Sequence, residues 1–596
     1  MSAAGEALAD RAEQRFPRSG AGASPRAAWT DLWAYASYLL LGFVVLLQLW
    51  RNPNGRVLAS NDDDHGFFLF VLAHGERVVF HGASPFFDDR MNVPDGVNMM
   101  ANTSVLALSL PFAPVTHFFG PGVGVVLLLT LGLAGTASAW YFVLSRHVVS
   151  RRLAAWIGGA WCGFCPAMVG HANGHINFVS GFVVPFLVWQ VIRLREPGRI
   201  VPGGVILGLL VVLQVFLNEE TLLFTAITLT IFLLLYAVQL RRPVIEAAPR
   251  FLAGLGVAAL VAGVFLAYPL WFQFFGPGSY HGQPFPTDKY VTDLASIGAY
   301  ARQSLAGNNT IARALSVSAT EDNTFFGPPL VVVLVIAVVM LWRSVVARTA
   351  ALTALVLLVM SMGTQLRVAG HETPVPLPFG LVSRLPIIDL VSVTRFAMVT
   401  ATIVGVLLAL AADRIRDYPR RQRVAFWAGL TVALLPVLPK PLPVVAADPM
   451  PPFLAAGIWH SYVPPGRTLV TVPLPEVTSG RTGMRWVALS GLRYASPRGY
   501  FMGPANPPAD TTGSWSAPPR FTSQLLGYVG RYGAVPPVTD AARAAFAADL
   551  AYWRAGVVVL VPGTPNEAAL RETLSALSGT PPHRVGGVEL WVPSGG

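Results

Sequence analysis

The chain has 596 residues, of which 53% are hydrophobic and only 12% charged, against about 25% charged in soluble domains. With a mean hydropathy of +0.54, this composition excludes a soluble enzyme of this size and, over most of the chain, disorder. The net charge is +11, and 40 of the 42 basic residues are Arg. They sit in short clusters between apolar runs, as topology determinants do, rather than on a basic face interleaved with aromatics that would suit nucleic acid.

Residues 1–28 are polar and read as a flexible cytoplasmic tail rather than a cleavable signal peptide. The first apolar run, Trp29 to Leu49, is long enough to span a bilayer. Ten further spans follow, at 121–145, 153–170, 176–194, 200–217, 221–240, 251–272, 329–342, 349–363, 391–412 and 424–440, which makes about eleven. The run 104–119 is placed at the outer interface, interrupted by Pro111 and Pro114. That choice puts segments 1–28, 146–152, 193–199, 241–250, 343–348 and 413–423, with 20 Arg between them, on the cytoplasmic side. The turns 171–175 and 218–220 then face outward and hold no Arg or Lys. The pair Cys162 and Cys165 lies inside WIGGAWCGFCPAMV and reads as small-residue helix packing rather than redox or metal chemistry.

The resulting fold class is an α-helical polytopic membrane protein with a C-terminal extracytoplasmic α/β domain. Residues 29–440 form the transmembrane domain, with long outer loops 50–104, 273–328 and 364–390. The stretch LPVLPKPLPVV (435–445) reads as a stiff linker. In the tail, 441–596, strands are expected at 467–475, 556–562 and 586–593, and helices at 539–556 and 566–577, with Thr539 as an N-cap. The expected location is the plasma membrane, with the tail outside the cell.

The unusual polar residues fall on the outer face. Asp62, Asp63 and Asp64 open the first outer loop. Three adjacent carboxylates repel one another, so the run is a catalytic base, a metal site, or a solvated helix N-terminus. The same loop carries Asn98 and Asn102 among sugar-type hydrogen-bonding groups. His171 and His175 stand four apart, as two metal ligands on one helix face would, though Gly174 between them weakens the helix. Glu219 and Glu220 join two very apolar helices, and carboxylates at membrane depth are expensive and usually functional. Arg395 near the outer boundary suits a phosphate or phospholipid-like head group, or else snorkels or pairs with a carboxylate. Trp486, Tyr494, Tyr500 and Trp515 in the tail are sugar-stacking or core aromatics.

These features resemble the GT-C superfamily of integral membrane glycosyltransferases, and within it actinobacterial polytopic proteins. The residues carrying the resemblance are NDDDHGFFLFVLAH (61–74), PDGVNMMANTSVL (94–106), GHANGHINF (170–178), Glu219 with Glu220, TRFAM (394–398), and MRWVALSGLRY with RGYF (484–501). The resemblance implies a polyprenyl-phosphate-linked sugar as donor, used at the outer face, and a glycan or lipid of the cell envelope as acceptor. It places the acidic motif on Asp62–Asp64, with Asp64 favoured as base because it lies nearest the apolar helix that follows. Arg395 is then the candidate for the donor phosphate, with a divalent metal ion as the alternative. Glu219, Glu220, His171 and His175 would orient the acceptor or hold that metal. Two other classes fit the same span count: a flippase or transporter of lipid-linked sugar, and a non-catalytic envelope scaffold. A transporter should carry midplane charges and paired broken helices, which the sequence lacks.

Overall fold

The computed structural model describes residues 25–385 and 387–593. The expectation of a flexible tail over 1–28 falls largely on residues 1–24, outside the described residues. The chain divides into two compact units. The first comprises Met1–Gln48, Leu128–Val264 and Thr287–Leu442, and the second Leu49–Leu127, Phe265–Pro286 and Pro443–Gly596.

The first unit is a helix bundle. Among the described residues of the chain, seven helices are long and apolar enough to cross a membrane: Ala28–Val45, Pro121–Val148, Arg152–His171, Ile176–Arg193, Glu219–Gln239, Arg241–Phe275 and Val393–Asp417. Helices Ile200–Val215, Pro328–Leu341 and Val345–Met360 coincide with expected spans but have only 16, 14 and 16 residues. Arg420–Leu434, with 15 residues, stands where the last span was expected. A full bilayer crossing takes about 20 residues, so the count of eleven is not reproduced by helix length. The long helix exposes Leu252, Leu260 and Val264 at 62%, 69% and 70%. An apolar surface of that kind is stable against hydrocarbon and not against water, and the protein is a membrane protein.

The tightest helix packing in this unit uses small residues. A Cβ on Gly158 would lie 2.8 Å from Ala409 Cβ and 2.9 Å from Gly405 O, and one on Gly405 would lie 2.6 Å from Cys162 Sγ. Helices Arg152–Phe164 and Phe396–Arg414 therefore touch nearly backbone to backbone, the close approach that membrane helices use in place of a hydrophobic driving force. Cys162 and Cys165 are both buried, and the Cys162 thiol donates to Thr402 O at 3.5 Å. The expected span 153–170 is interrupted at Cys165, because Pro166 opens a separate short helix, Pro166–His171.

In the second unit, Asp62–His81 is a 20-residue helix whose middle is buried. The run 104–119 forms two short helices, Leu106–Ser109 and Ala113–Phe119, separated around Pro111. The tail contains a four-stranded sheet in the order His583–Val585, Val588–Trp591, Ala555–Leu560, Thr468–Val472. The pair Ala555–Leu560 and Thr468–Val472 is parallel and fully buried, and the other pairings are antiparallel. Helices Phe521–Tyr532, Asp540–Tyr552 and Glu567–Ser578 close the core with Leu526, Val529, Phe546, Leu550, Leu570 and Leu574. Thr539 caps the second of them, its hydroxyl accepting from Ala542 N–H at 3.2 Å. The end of the expected linker is a strand, Val444–Ala446, which pairs antiparallel with Arg56–Leu58.

Candidate functional site

The expected site residues fall into two clusters, one in each unit. The cluster in the second unit is built on Asn61, the residue before the Asp62–His81 helix, and on Asp62, Asp63 and Asp64 in its first turn. The positive end of the helix dipole favours carboxylates there. Arg481, the first residue of the Arg481–Leu489 helix, forks onto Asp63 through Nε and Nη2, the latter at 2.8 Å, and its Nε reaches Asp62 at 3.3 Å. Burial raises the Asp63 pKa above the ordinary carboxylate value, with Arg481 opposing the shift. Arg481 is in turn raised by its hydrogen bond to Asp63.

Asp64 is held differently. Its Oδ2 accepts from the Asn61 amide at 2.6 Å and its Oδ1 from the Tyr500 hydroxyl at 3.0 Å. His65, fully buried, accepts from Leu58 N–H through Nδ1 at 3.3 Å, and burial pushes its pKa down to about 3, so it is neutral. The recess beside the acidic run, lined by Asp62, Asp63, Glu476, Arg481 and Tyr500, holds about 10 Å³, room for one water. A larger recess of about 360 Å³ lies at Pro562, Glu567, Arg584 and Glu589. Its charges are already paired, Glu567 and Glu589 with Arg571 and Glu589 also with Arg584 at 3.1 Å.

The structure engages Asn98 and Asn102 in backbone clamps. Buried Asn98 accepts from Met100 and Ala101 N–H and donates to Phe272 O. Asn102 donates to Asn98 O and Met502 O, both at 2.9 Å, and accepts from Met502 N–H at 2.8 Å. His74, buried on the Asp62–His81 helix, meets buried Asp88 at 2.8 Å. Burial raises the Asp88 pKa, but His74 and the amides of Met91 and Arg90 more than offset this and hold it below the usual value. Of the four tail aromatics, Trp486 and Tyr494 are 1% and 2% exposed. Packed that deeply in the core they cannot stack on a sugar, which corrects the sugar-stacking reading for these two.

The cluster in the first unit gathers His171, His175, Glu220, Glu321 and Arg395. His171 ends the helix after Pro166, and Gly174, with φ +111°, breaks the helix before His175. The two rings nonetheless meet, Nδ1 to Nδ1, at 2.8 Å. Arg395 donates from Nη1 to Glu220 at 2.6 Å, and from Nε and Nη2 to Glu321 Oε1 at 3.1 and 2.9 Å. Its guanidinium lies 4.5 Å over the Phe178 ring. Asn323 donates to the other Glu321 oxygen at 3.0 Å, and Glu219 opens the helix beside Glu220, half-buried.

His171, His175 and Glu321 each offer one ligand atom, and these lie within 4.8 Å of one another. His171 Nε2 is buried with no hydrogen-bond partner. The donor set fits a divalent ion: two imidazoles and one carboxylate suit zinc or another first-row transition metal, whereas magnesium and calcium favour oxygen. Glu321 and Asn323 were not singled out from the sequence. Their run, TEDN, ends four residues short of the apolar helix that begins at Pro328, a signal of the kind that marked Asp62–Asp64.

No protein-family model and no characterised protein matches the sequence. Among solved structures, the chain is similar to the oligosaccharyltransferase AglB of Archaeoglobus fulgidus in complex with an inhibitory peptide and a dolichol-phosphate, with TM-score 0.45, 12% identity, and 94% of this chain and 72% of that one covered. It is similar to the apo form of the Archaeoglobus fulgidus oligosaccharyltransferase with TM-score 0.43 and 13% identity over 78% of this chain, spanning 64% of that one's length. The complex of the same enzyme with Zn and sulfate gives TM-score 0.41 and 12% identity over 78% of this chain and 62% of that one. At 12–13% identity the likeness assigns no chemistry to this chain.

Proposed function

We propose that the protein is a membrane glycosyltransferase that moves a sugar from a polyprenyl-phosphate donor to a cell-envelope glycan or lipid acceptor at the outer face. The observation that carries this reading is the cluster of the first unit, where a half-buried Arg and a metal-capable His–His–Glu set share Glu321. Anchored in a helix bundle, such a set suits an anionic headgroup attached to a lipid tail. Arg395, pre-oriented by two carboxylates and by Phe178, would fork onto the donor phosphate. His171, His175 and Glu321 would hold a divalent ion, whose chemistry is to draw charge onto the departing phosphate oxygen.

In the second unit, Asp64 is the base. Its carboxylate would take the proton of the acceptor hydroxyl. Asp62 and Asp63 pair with Arg481, whereas Asp64 accepts from the Asn61 amide and the Tyr500 hydroxyl.

The test supplies radiolabelled polyprenyl-phosphate sugars and envelope acceptors to purified protein, before and after chelation. Chelation should lower transfer at least about tenfold and a first-row divalent metal should restore it. Glu321→Gln should lower both bound metal and transfer. Transfer indifferent to chelation and to Glu321→Gln would remove the cluster from the reaction.

A further inference from the structure

We propose that Tyr500 is a positioning residue for Asp64, presenting that carboxylate for proton transfer from a point more than four hundred residues along the chain. The proposal rests on the reading of Asp64 as the base. Arg481 would be a poor partner for a base, because a bidentate cation neutralises a carboxylate as it orients it. A phenol and an amide orient it without cancelling its charge. Asp64 has both: Tyr500 on Oδ1 at 3.0 Å and Asn61 on Oδ2 at 2.6 Å. A donor on each oxygen sets the plane of the carboxylate.

The Tyr500 ring is itself fixed. It stacks on Trp515 with centroids 5.2 Å apart and planes 7° apart, and it meets Phe67 edge-on at 6.2 Å and 84°. Phe67 lies on the same helix as Asp64, one turn on. The backbone is also held. Met502, two residues after Tyr500, exchanges both of its backbone hydrogen bonds with Asn102, and Asn102 is tied to Asn98. The two asparagines expected to meet substrate thus clamp the segment that carries Tyr500. Reading from the clamp inward, Asn98, Asn102, the Met502 backbone, Tyr500 and Asp64 form one connected chain inside the second unit.

The charged and titratable groups shown near Asp64 among the described residues include Asp62, Asp63 and His65 on its own helix, and Arg481 and Tyr500 from the tail. Hydrogen bonds to the charged form favour it, so removing the phenol should raise the pH at which Asp64 takes a proton. The experiment labels the full-length protein with dicyclohexylcarbodiimide, which reacts with protonated carboxyls, across pH 3 to 8, and reads Asp64 modification by peptide mass spectrometry. Tyr500→Phe, which keeps the ring and loses the hydroxyl, should move the labelling midpoint up by about one pH unit. It should also lower transfer about tenfold, displace the acid limb of its pH profile upward by the same amount, and leave KM unchanged.

A midpoint identical to wild type in folded Tyr500→Phe overturns the proposal. If that variant loses its fold, Trp515→Leu, which frees the ring but keeps the hydroxyl, should move the midpoint in the same direction by less, and an unmoved midpoint there overturns it. Should wild type transfer no sugar from any donor, the reading of Asp64 as base fails, and the labelling midpoint still decides whether Tyr500 governs Asp64.

Discussion

Arg395 stands between Glu220 and Glu321, with side-chain exposures of 17%, 23% and 5%. Its removal would leave two carboxylates facing each other with their cation gone. Losing one partner of a fully buried ion pair costs about 3–5 kcal/mol, and here Arg395 and Glu220 are half-buried, so Arg395→Ala should show a loss at or below the lower end of that range in thermal unfolding in detergent. Arg395→Lys should recover only part of it, because an ammonium cannot fork across two carboxylates. Asp322, next to Glu321, has the opposite character. It is fully buried, and burial pushes its pKa up to about 6 despite Arg302. A carboxylate raised in the folded state binds more protons there than in the unfolded chain. Its contribution is therefore favourable below about pH 4 and is lost as pH rises to about 6, a swing of about 3 kcal/mol. Asp322→Asn should flatten the stability profile across that window, and an unchanged profile would contradict the assignment. Much of the first-unit cluster was legible at this scale. His171, His175, the Glu pair and Arg395 stand out because polar groups are costly in an apolar chain. Glu321 was not singled out, although its run TEDN stands ahead of an apolar helix, because one or two carboxylates in a long outer loop are ordinary. Tyr500 was marked only as a tail aromatic and Arg481 not at all, because their partners Asp64 and Asp63 lie 436 and 418 residues away.

At the scale of elements, periodicity located most helices and the buried strands of the tail to within a few residues. Thr539 was recognisable as an N-cap because a hydroxyl before an Ala-rich run has an obvious partner in the first turn. Thr539→Ala should cost about 1 kcal/mol in stability and leave transfer untouched. What periodicity missed were interruptions and pairings. Pro166 splits one expected span. The Pro-rich stretch 435–445 ends in a strand because Arg56–Leu58 offers an unpaired edge to Val444–Ala446, and only the fold brings the two segments together. The same blindness concealed the Asn102 clamp. Its three hydrogen bonds fix a loop backbone, and Asn102→Ala should cost about 2–3 kcal/mol at about 1 kcal/mol for each bond lost.

Across the whole molecule, composition alone identified a membrane protein, because burial of this much apolar surface has no other solvent. The number of crossings was less legible. Hydropathy marks an apolar run but not where a helix ends, and several runs fold as helices of 14–16 residues. The polar side chains expected at a site concentrate in two places, a metal-capable nest in the first unit and an acidic helix start in the second, each completed by residues distant in sequence. The most direct test of the account is sugar transfer by purified wild type beside Asp64→Asn, with radiolabelled polyprenyl-phosphate donors and envelope glycan acceptors. The account predicts transfer by wild type and a loss of about 10²–10⁴-fold in the variant with unfolding temperature preserved. Equal transfer by the two proteins, or none by wild type with any donor, would contradict it.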